Sequence, residues 1–392
     1  MKILSVNAGS SSLKFQMYEM PEEKVLISGV FERIGIDSSF YTIKINGEKI
    51  KKEAVLKDHN DAVSILINEL LENKVIEDLS EIKAVGHRLV HGGDKYSKST
   101  VIDEKVIEVV EDLCTLAPLH NPANLMGVKA FMTRVPDAVQ VACFDTAFHQ
   151  TMEPVNFIYP VPYEWYEKYS VRKYGFHGMS HRYVSERCAE ILDKKDAKII
   201  VCHLGNGGSI SAVKNGKCVN TTMGLSPNAG IMMGSRSGDI DSSMILYINK
   251  NTGMSLEEID TALNKKSGYL GVSGISSDSR DIEDGVAEGN ERCILAQNMY
   301  IRRVINYIAQ YYVELDGVDA ICFTAGIGEN APATRKDIVN GLSALGIKLD
   351  EEANNCRGKE VVITTGDSKV PCYVIPTDEE VMIARDAYSF IK

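Results

Sequence analysis

At 392 residues, 44% of them apolar and 25% charged, the chain has length for two or three domains and an ordinary globular composition, which excludes a collagen, a low-complexity array and long disorder. Its 43 Lys and Arg against 54 Asp and Glu leave a net charge of −11, so the surface repels a polyphosphate backbone and nucleic acid is excluded as a main partner. A small anion, held by local arginines or a helix N-terminus, is not excluded. The nine cysteines are odd in number, scattered and never spaced Cys-x-x-Cys, and residues 1–15 carry no signal-peptide core. Reduced thiols, a cytoplasmic location and no membrane partner are predicted.

In chain order, residues 3–6 predict a strand that runs into Asn7-Ala8-Gly9-Ser10-Ser11-Ser12 and out through a second strand at 13–18. Strands follow at 25–34 and at 41–45, turning through Asn46-Gly47 into 48–55, and then at 82–86; a helical stripe of Val63, Leu66, Ile67, Leu70 and Leu71 precedes the last. Asn121-Pro122 predicts a cap followed by proline at the first helical position, 138–144 a strand ending at Asp145, and 181–193 a helix that Ser180 would cap. The opening pattern then returns as strand 198–203, the turn His203-Leu204-Gly205-Asn206-Gly207-Gly208-Ser209, and strand 209–213. Ser255-x-x-Glu258 predicts a capping box, 286–314 a long helix, and 318–324 and 370–375 strands. Thr377 with Glu380 predicts a second capping box at the final helix, leaving Glu379 for a metal. Strands alternating with helices, the early ones in hairpins, predict an α/β chain with mixed sheets. No Pro/Ser-rich linker marks a boundary, so the split is read from the repeated hairpins, with the second half starting before Ile199.

The two Gly/Ser/Asn turns are built to expose backbone N–H groups to phosphate oxygens, and their repetition suggests two related halves facing one anion. Neither is a Walker loop and no Gly-x-Gly-x-x-Gly follows a strand, which disfavours P-loop and protein-kinase mechanisms. In Gly86-His87-Arg88-Leu89-Val90-His91-Gly92-Gly93 the spaced histidines do not read as zinc, because Arg88 stands where the metalloprotease signature needs Glu. Arg88 is either an anion ligand or half of a structural ion pair. Asp145 emerges at a strand end as a candidate metal orienter or base. His177 lies between glycines, either with its ring open to a ligand or as a buried, hydrogen-bonded ring, and Arg236 in a Gly/Ser frame is a second guanidinium for an anion. Gly326 and Gly328 follow a buried strand, where bare backbone suits a flat ring.

The N-terminal turn, His87 to Gly93, Gly175-Phe176-His177-Gly178, Arg236-Ser237-Gly238-Asp239 and Thr377-Asp378-Glu379-Glu380, in this order over almost the whole chain, closely resemble the acetate kinases of the sugar kinase, heat-shock protein 70 and actin superfamily. The resemblance implies a duplicated actin-like ATPase (ribonuclease H-like) fold: two halves, each with a mixed sheet and flanking helices, around a central cleft that closes on ATP. The halves would be 1–148 plus 380–392, and 149–379. It implies reversible phosphoryl transfer from ATP to acetate, giving acetyl phosphate and ADP, with Mg2+ or Mn2+ and in a homodimer. Carried over by position, Arg88 and Arg236 would hold the carboxylate and the phosphoryl group, His177 would donate to that group, and Asn7 and Glu379 would place the metal with Asp145 nearby. Ser10, Ser12, Lys14, His203, Leu204, Gly205, Asn206, Gly207 and Gly208 match the two phosphate motifs. Asp278, Ser279, Arg280, Gly326, Ile327, Gly328, Glu329 and Asn330 match the adenosine pocket. Val90, Leu119, Phe176 and Pro227 match the pocket for the acetate methyl.

A carboxylate acceptor is already ionised at neutral pH, so direct in-line transfer needs no general base, and positioning with charge neutralisation would carry the catalysis. The family usually has Thr-Pro-Leu-Glu-Gly where this chain has Ser226-Pro227-Asn228-Ala229-Gly230, and Asp-Ile-Asp-Pro where it has Asp239-Ile240-Asp241-Ser242. These departures flank the acyl pocket and leave a propionate or butyrate kinase as a close alternative. An ATP-dependent interaction protein of the actin or chaperone type is the alternative from another class.

Overall fold

The computed structural model describes residues 1–118 and 120–391, so Leu119 of the expected acyl pocket lies outside the described residues. The chain divides into two units: Met1–Phe148 with Asp378–Lys392, and His149–Thr377. The return crossing thus comes at Asp378, two residues ahead of the expected 380.

In the first unit β1 (Lys2–Ala8), β2 (Ser12–Glu19), β3 (Lys24–Glu32), β4 (Phe40–Ile45) and β5 (Glu48–Glu53) form an antiparallel meander. β6 (Ile82–Leu89) joins β1 in parallel, β8 (Val139–Phe144) joins β6 in parallel, and the short β7 (Thr100–Val101) closes the edge, giving the order β5-β4-β3-β2-β1-β6-β8-β7. Alternation along the strands sends Leu4, Val6, Phe15, Ile27 and Phe31 into one core with Leu66 and Leu70 of the helix His59–Glu72 and Phe131 of the helix Asn121–Arg134. The final helix, Glu379–Ser389, packs on the other face. Gly86 permits this contact, since a Cβ there would stand 2.5 Å from Ile383 Cγ2.

The second unit repeats the plan. β9 (Lys198–Leu204), β10 (Gly208–Lys214) and β11 (Lys217–Thr221) form the meander, and β12 (Ala320–Thr324) and β14 (Cys372–Val374) continue it in parallel, with β13 (Val361–Val362) at the edge. Its core gathers Ile200, Cys202, Ile210, Tyr300, Val304, Ile308 and Phe323. Each unit is a mixed sheet with flanking helices, the expected duplicated fold. No helix among the described residues is long and apolar enough to cross a membrane.

Several local expectations change. β11 follows a second Asn-Gly turn, Asn215-Gly216, both residues at positive φ (55° and 69°) like Asn46-Gly47 (52° and 83°), the backbone a two-residue hairpin requires. The helix expected over 286–314 is two, Ser279–Ala287 and Glu291–Glu314, broken at Gly289 and restarted by Asn290, whose carboxamide accepts from Arg292 N and Cys293 N at 3.1 Å. Ser255 and Glu258 do form a capping box. Asn121 is not a cap: it is already helical, fully buried, and exchanges two 3.1 Å hydrogen bonds with the His91 backbone. The helix expected from 181 begins at Gly178, and the Ser180 hydroxyl caps nothing, being engaged by His203 and Thr377.

The Thr377/Glu380 box does not form either. Thr377 Oγ1 donates to Ser180 Oγ (2.8 Å) and its N–H is taken by Glu329, so the helix starts a residue later and Asp378 caps it, accepting from Val381 N at 2.9 Å. Asp378→Ala should therefore cost about 1 kcal/mol in urea unfolding, and Glu380→Gln almost nothing. Equal losses would contradict this cap.

Candidate active site

In the first unit β1, β6 and β8 run parallel, so their carboxyl ends share the edge where such sheets present ligand-binding side chains. Ser5 pairs with Gly86 and Val6 with His87, so Asn7 and Arg88 follow side by side on the face covered by the final helix. That helix begins with Glu379. Asp145 follows β8 and is almost fully buried. Arg88 Nε and Nη2 donate to Asp145 Oδ1 and Oδ2 at 3.0 and 2.5 Å, and Glu379 Oε2 stands 3.7 Å from Arg88 Nε. The ion-pair reading of Arg88 is thus realised, and both oxygens of Asp145 face the guanidinium. Burial opposes the charge on Arg88, but Asp145 and Glu379 more than offset it and hold the group firmly protonated. Asn124 ties this edge together, accepting from Val90 N (3.0 Å) and donating to Ala8 O (2.6 Å). Ser10 is exposed in the β1–β2 turn, which Gly9 N closes onto Ser12 O at 2.8 Å, and Lys14 extends outward from β2. His87 Nε2 meets Gln140 Oε1 at 2.8 Å, facing away from the site.

Glu379 is pushed up to about 7, by burial first and then by Asp145 and Glu380, against the pull of Arg88 and Lys14. A carboxyl raised above its unfolded value of about 4.3 stabilises the fold fully below that value, and the contribution is lost as pH rises through 7. Without divalent cations, Glu379→Gln should therefore match the wild type at pH 4 and exceed it at pH 8. The gain is on the order of 1 kcal/mol once the partial exposure of the side chain is allowed for. Urea unfolding at the two pH values measures it, and a pH-independent difference would refute it.

In the second unit His177 adopts a left-handed conformation (φ 58°) just before the helix Gly178–Ile191, which turns its ring onto the β9–β10 hairpin. Its Nδ1 lies 2.9 Å from Ser209 Oγ, and the ring stacks on His203 with centroids 4.1 Å apart. Gly207 faces the outer edge of that ring: a Cβ there would stand 3.2 Å from Arg236 Nη1 and 3.8 Å from His177 Nε2. Backbone, guanidinium and imidazole thus meet around one small space. Arg236 is half-buried, not held in a mobile frame. Its Nη1 reaches only Pro227 O (3.3 Å) and Met233 Sδ, and no carboxylate pairs with it among the described residues. Burial alone depresses its affinity for its proton. Phe176 is buried, and its carbonyl lies 2.8 Å from His149 Nε2.

Beside this space opens a cavity of about 650 Å³, lined among others by Asn206, Asp278, Ser279, Arg280, Gly326, Ile327 and Asn330. Gly326 has open space where a side chain would be, as a ring laid on backbone requires. Gly328 instead packs on Phe323 and Cys202, Leu204 is core, and Glu329 accepts from Ala325 N and Thr377 N. Asp278 caps its helix and pairs with the exposed Arg280 at 2.5 Å. Tyr269, Glu283 and Arg357 also line the cavity. Nothing local in the sequence marks these three, which reach the cavity from separate elements. A second cavity of about 610 Å³, between Asp239 and the helix Glu291–Glu314, contains none of the expected site residues.

The model of the acetokinase family matches residues 2–385. The chain belongs to the acetokinase family. It is 54% identical over 390 residues to an acetate kinase of Clostridium botulinum (strain 657 / Type Ba4), with 98% of each chain covered. The crystal structure of Porphyromonas gingivalis acetate kinase superposes with a TM-score of 0.95 at 46% identity, over 100% of both chains. A propionate kinase from Francisella tularensis subsp. tularensis SCHU S4 gives 0.93 at 42% identity, over 98% of both. His181 and Ser209, which are not among the expected site residues, stand beside His177, with His181 Nε2 and His177 Nδ1 2.6 and 2.9 Å from Ser209 Oγ. His181 lies four residues after His177, one helical turn along, and that spacing was the available signal.

Proposed function

We propose that the chain transfers the γ-phosphoryl group of ATP reversibly to acetate, giving acetyl phosphate and ADP, with Mg2+ as the companion ion and Mn2+ as its substitute. Membership of the acetokinase family makes it a phosphotransferase and removes the reading as an interaction protein. The observation that carries the proposal is Arg236, a partly buried guanidinium without a carboxylate partner among the described residues, set against His177 and the backbone of Gly207. A buried charge left uncompensated is costly, and an anionic ligand offsets that cost.

In the second unit the reading assigns Arg236 and His177 to the transferring phosphoryl group, the turn His203 to Gly208 to the phosphates, and the 650 Å³ cavity to adenosine. Phe176 and Pro227 would contact the acyl group. In the first unit it assigns Arg88, oriented by Asp145, to an anionic substrate oxygen, Val90 to the acyl group, and Ser10, Ser12 and Lys14 to the phosphate motif. The two units would be the two halves of the ATPase fold. Asn7 and Glu379 suit Mg2+: they are hard oxygen donors at one sheet edge, and burial among carboxylates leaves Glu379 short of positive charge. When bound, that ion neutralises charge on phosphate oxygens. A homodimer is part of the reading, supported by Met244, Leu246 and Tyr247, exposed together on the helix Ser243–Thr252, and is checked by light scattering.

The test is steady-state kinetics with acetate, propionate and butyrate at saturating magnesium ATP. One methylene in an apolar pocket is worth about 1–3 kcal/mol, so kcat/KM should fall about tenfold or more from acetate to propionate. Absence of phosphoryl transfer to all three acids would overturn the function. A propionate preference would trace to the departures at 226–230.

A further inference from the structure

We propose that Ser209 and His181 are positioning residues that hold His177 as the tautomer carrying its proton on Nε2, the edge nearest Arg236 and Gly207. The inference rests on the reading of His177 as donor to the phosphoryl group, and names what prepares it.

Ser209 stands at the start of β10 opposite His203 and is fully buried. His177 and His181 lie one turn apart at the start of the helix Gly178–Ile191, which packs on the neighbouring β9, and both reach the same hydroxyl: His177 Nδ1 at 2.9 Å and His181 Nε2 at 2.6 Å from Ser209 Oγ. A serine hydroxyl has one proton to give and two lone pairs to offer, so it can donate to only one of these nitrogens, and the other must donate to it.

The far nitrogen of His181 selects between the two arrangements. His181 Nδ1 is buried and has no hydrogen-bond partner among the described residues. If Ser209 donated to His181 Nε2, the neutral His181 ring would carry its proton on Nδ1, leaving a buried N–H with no acceptor. If His181 Nε2–H donates to Ser209, Nδ1 is a bare lone pair, and an unpartnered buried acceptor is the more readily tolerated of the two. The imidazolium form would also place a proton on Nδ1, and burial with His149 and His203 nearby keeps His181 neutral. The hydrogen bonds therefore run in one direction, from His181 Nε2–H to Ser209 Oγ and from Ser209 Oγ–H to His177 Nδ1. A neutral His177 that accepts at Nδ1 carries its proton on Nε2, where a donor to a phosphoryl oxygen has to carry it. No proton moves along the chain; it only selects a tautomer, as the orienting carboxylate does for the histidine of a serine protease.

The test begins with the wild-type protein, in which 15N-histidine spectra at pH 7.5 report the tautomer of each ring; the His177 signals are assigned by their loss in His177→Gln. The Nε2–H form of His177 is expected, and an Nδ1–H form overturns the proposal whatever any variant does. Ser209→Ala should lower kcat at least about tenfold with both KM values within about twofold, and should move His177 to a tautomer mixture. His181→Leu should do the same, while His181→Gln, whose amide keeps an N–H donor near the place of Nε2, should recover most of the rate. If the two glutamine and leucine variants are equally slow, or Ser209→Ala leaves both tautomer and kcat unchanged, the positioning role is refuted. Failure of the parent reading shows elsewhere: the wild-type tautomer would stand, but the enzyme would phosphorylate no carboxylic acid.

Discussion

Arg236→Ala should lower kcat by about 10³-fold or more while leaving the fold as stable as before or slightly more stable. The first half follows from the chemistry: phosphoryl transfer is catalysed by positioning and charge neutralisation, and loss of a guanidinium that stabilises the transferring group costs about 10³–10⁵ in rate. The second half follows from the surroundings of the side chain. Arg236 is pressed into a site where burial works against its charge, with long contacts to Pro227 O and Met233 Sδ and no carboxylate paired with it among the described residues. Removing it leaves no counter-ion stranded, so the ligand-free protein has little to lose. Kinetics at saturating magnesium ATP and acetate, with thermal unfolding of the same preparation, check both halves. Near-normal turnover, or a large loss of stability, would show that Arg236 serves the fold rather than the anion.

Arg88→Ala should match it in activity and differ from it in stability. Arg88 is gripped by both oxygens of Asp145, which is 2% exposed, and Glu379 stands on its other side. Taking the guanidinium away strands Asp145 as a buried carboxylate beside Glu379. Breaking a buried pair from one side costs about 3–5 kcal/mol; the 20% exposure of the Arg88 side chain places this pair toward the lower end. The unfolding transition of the first unit should drop, with kcat down about 10³-fold. Arg88→Ala with Asp145→Asn should regain much of the stability and none of the activity, because the amide needs no counter-ion. If the double variant is as unstable as the single one, the loss comes from packing and the charge argument fails.

The contrast between the two arginines marks the line between what could be read from the chain and what could not. In sequence both sit in glycine-framed segments; Arg236 reads as an anion ligand, and Arg88 as either an anion ligand or half of a structural ion pair. Their difference lies in Asp145, 57 residues from Arg88, which the parallel register of β6 and β8 brings to the guanidinium, whereas among the described residues no carboxylate pairs with Arg236. Capping shows the same division. Ser255 and Glu258 form their box because both partners are local, whereas Thr377 gives its hydroxyl to Ser180, 197 residues away, and Asp378 takes over the cap.

By itself the sequence determined the features whose causes are local. The two Gly/Ser/Asn hairpins, the Asn-Gly turn after β4, the strands leading into the Arg88 and Asp145 segments, and the glycines that bare backbone at Gly207 and Gly326 all follow from φ preference, alternation and side-chain size within a few residues. The order of those motifs sufficed to indicate the family. Only the tertiary structure decided which hydroxyl each histidine meets, because Ser209 lies 32 residues from His177 and 28 from His181, and nothing in the intervening chain specifies the meeting. It is the seating of the helix Gly178–Ile191 on β9 and β12 that brings two imidazoles to one buried hydroxyl of the neighbouring β10, and a hydroxyl with one proton to give, facing two ring nitrogens, then leaves one direction for the hydrogen bonds.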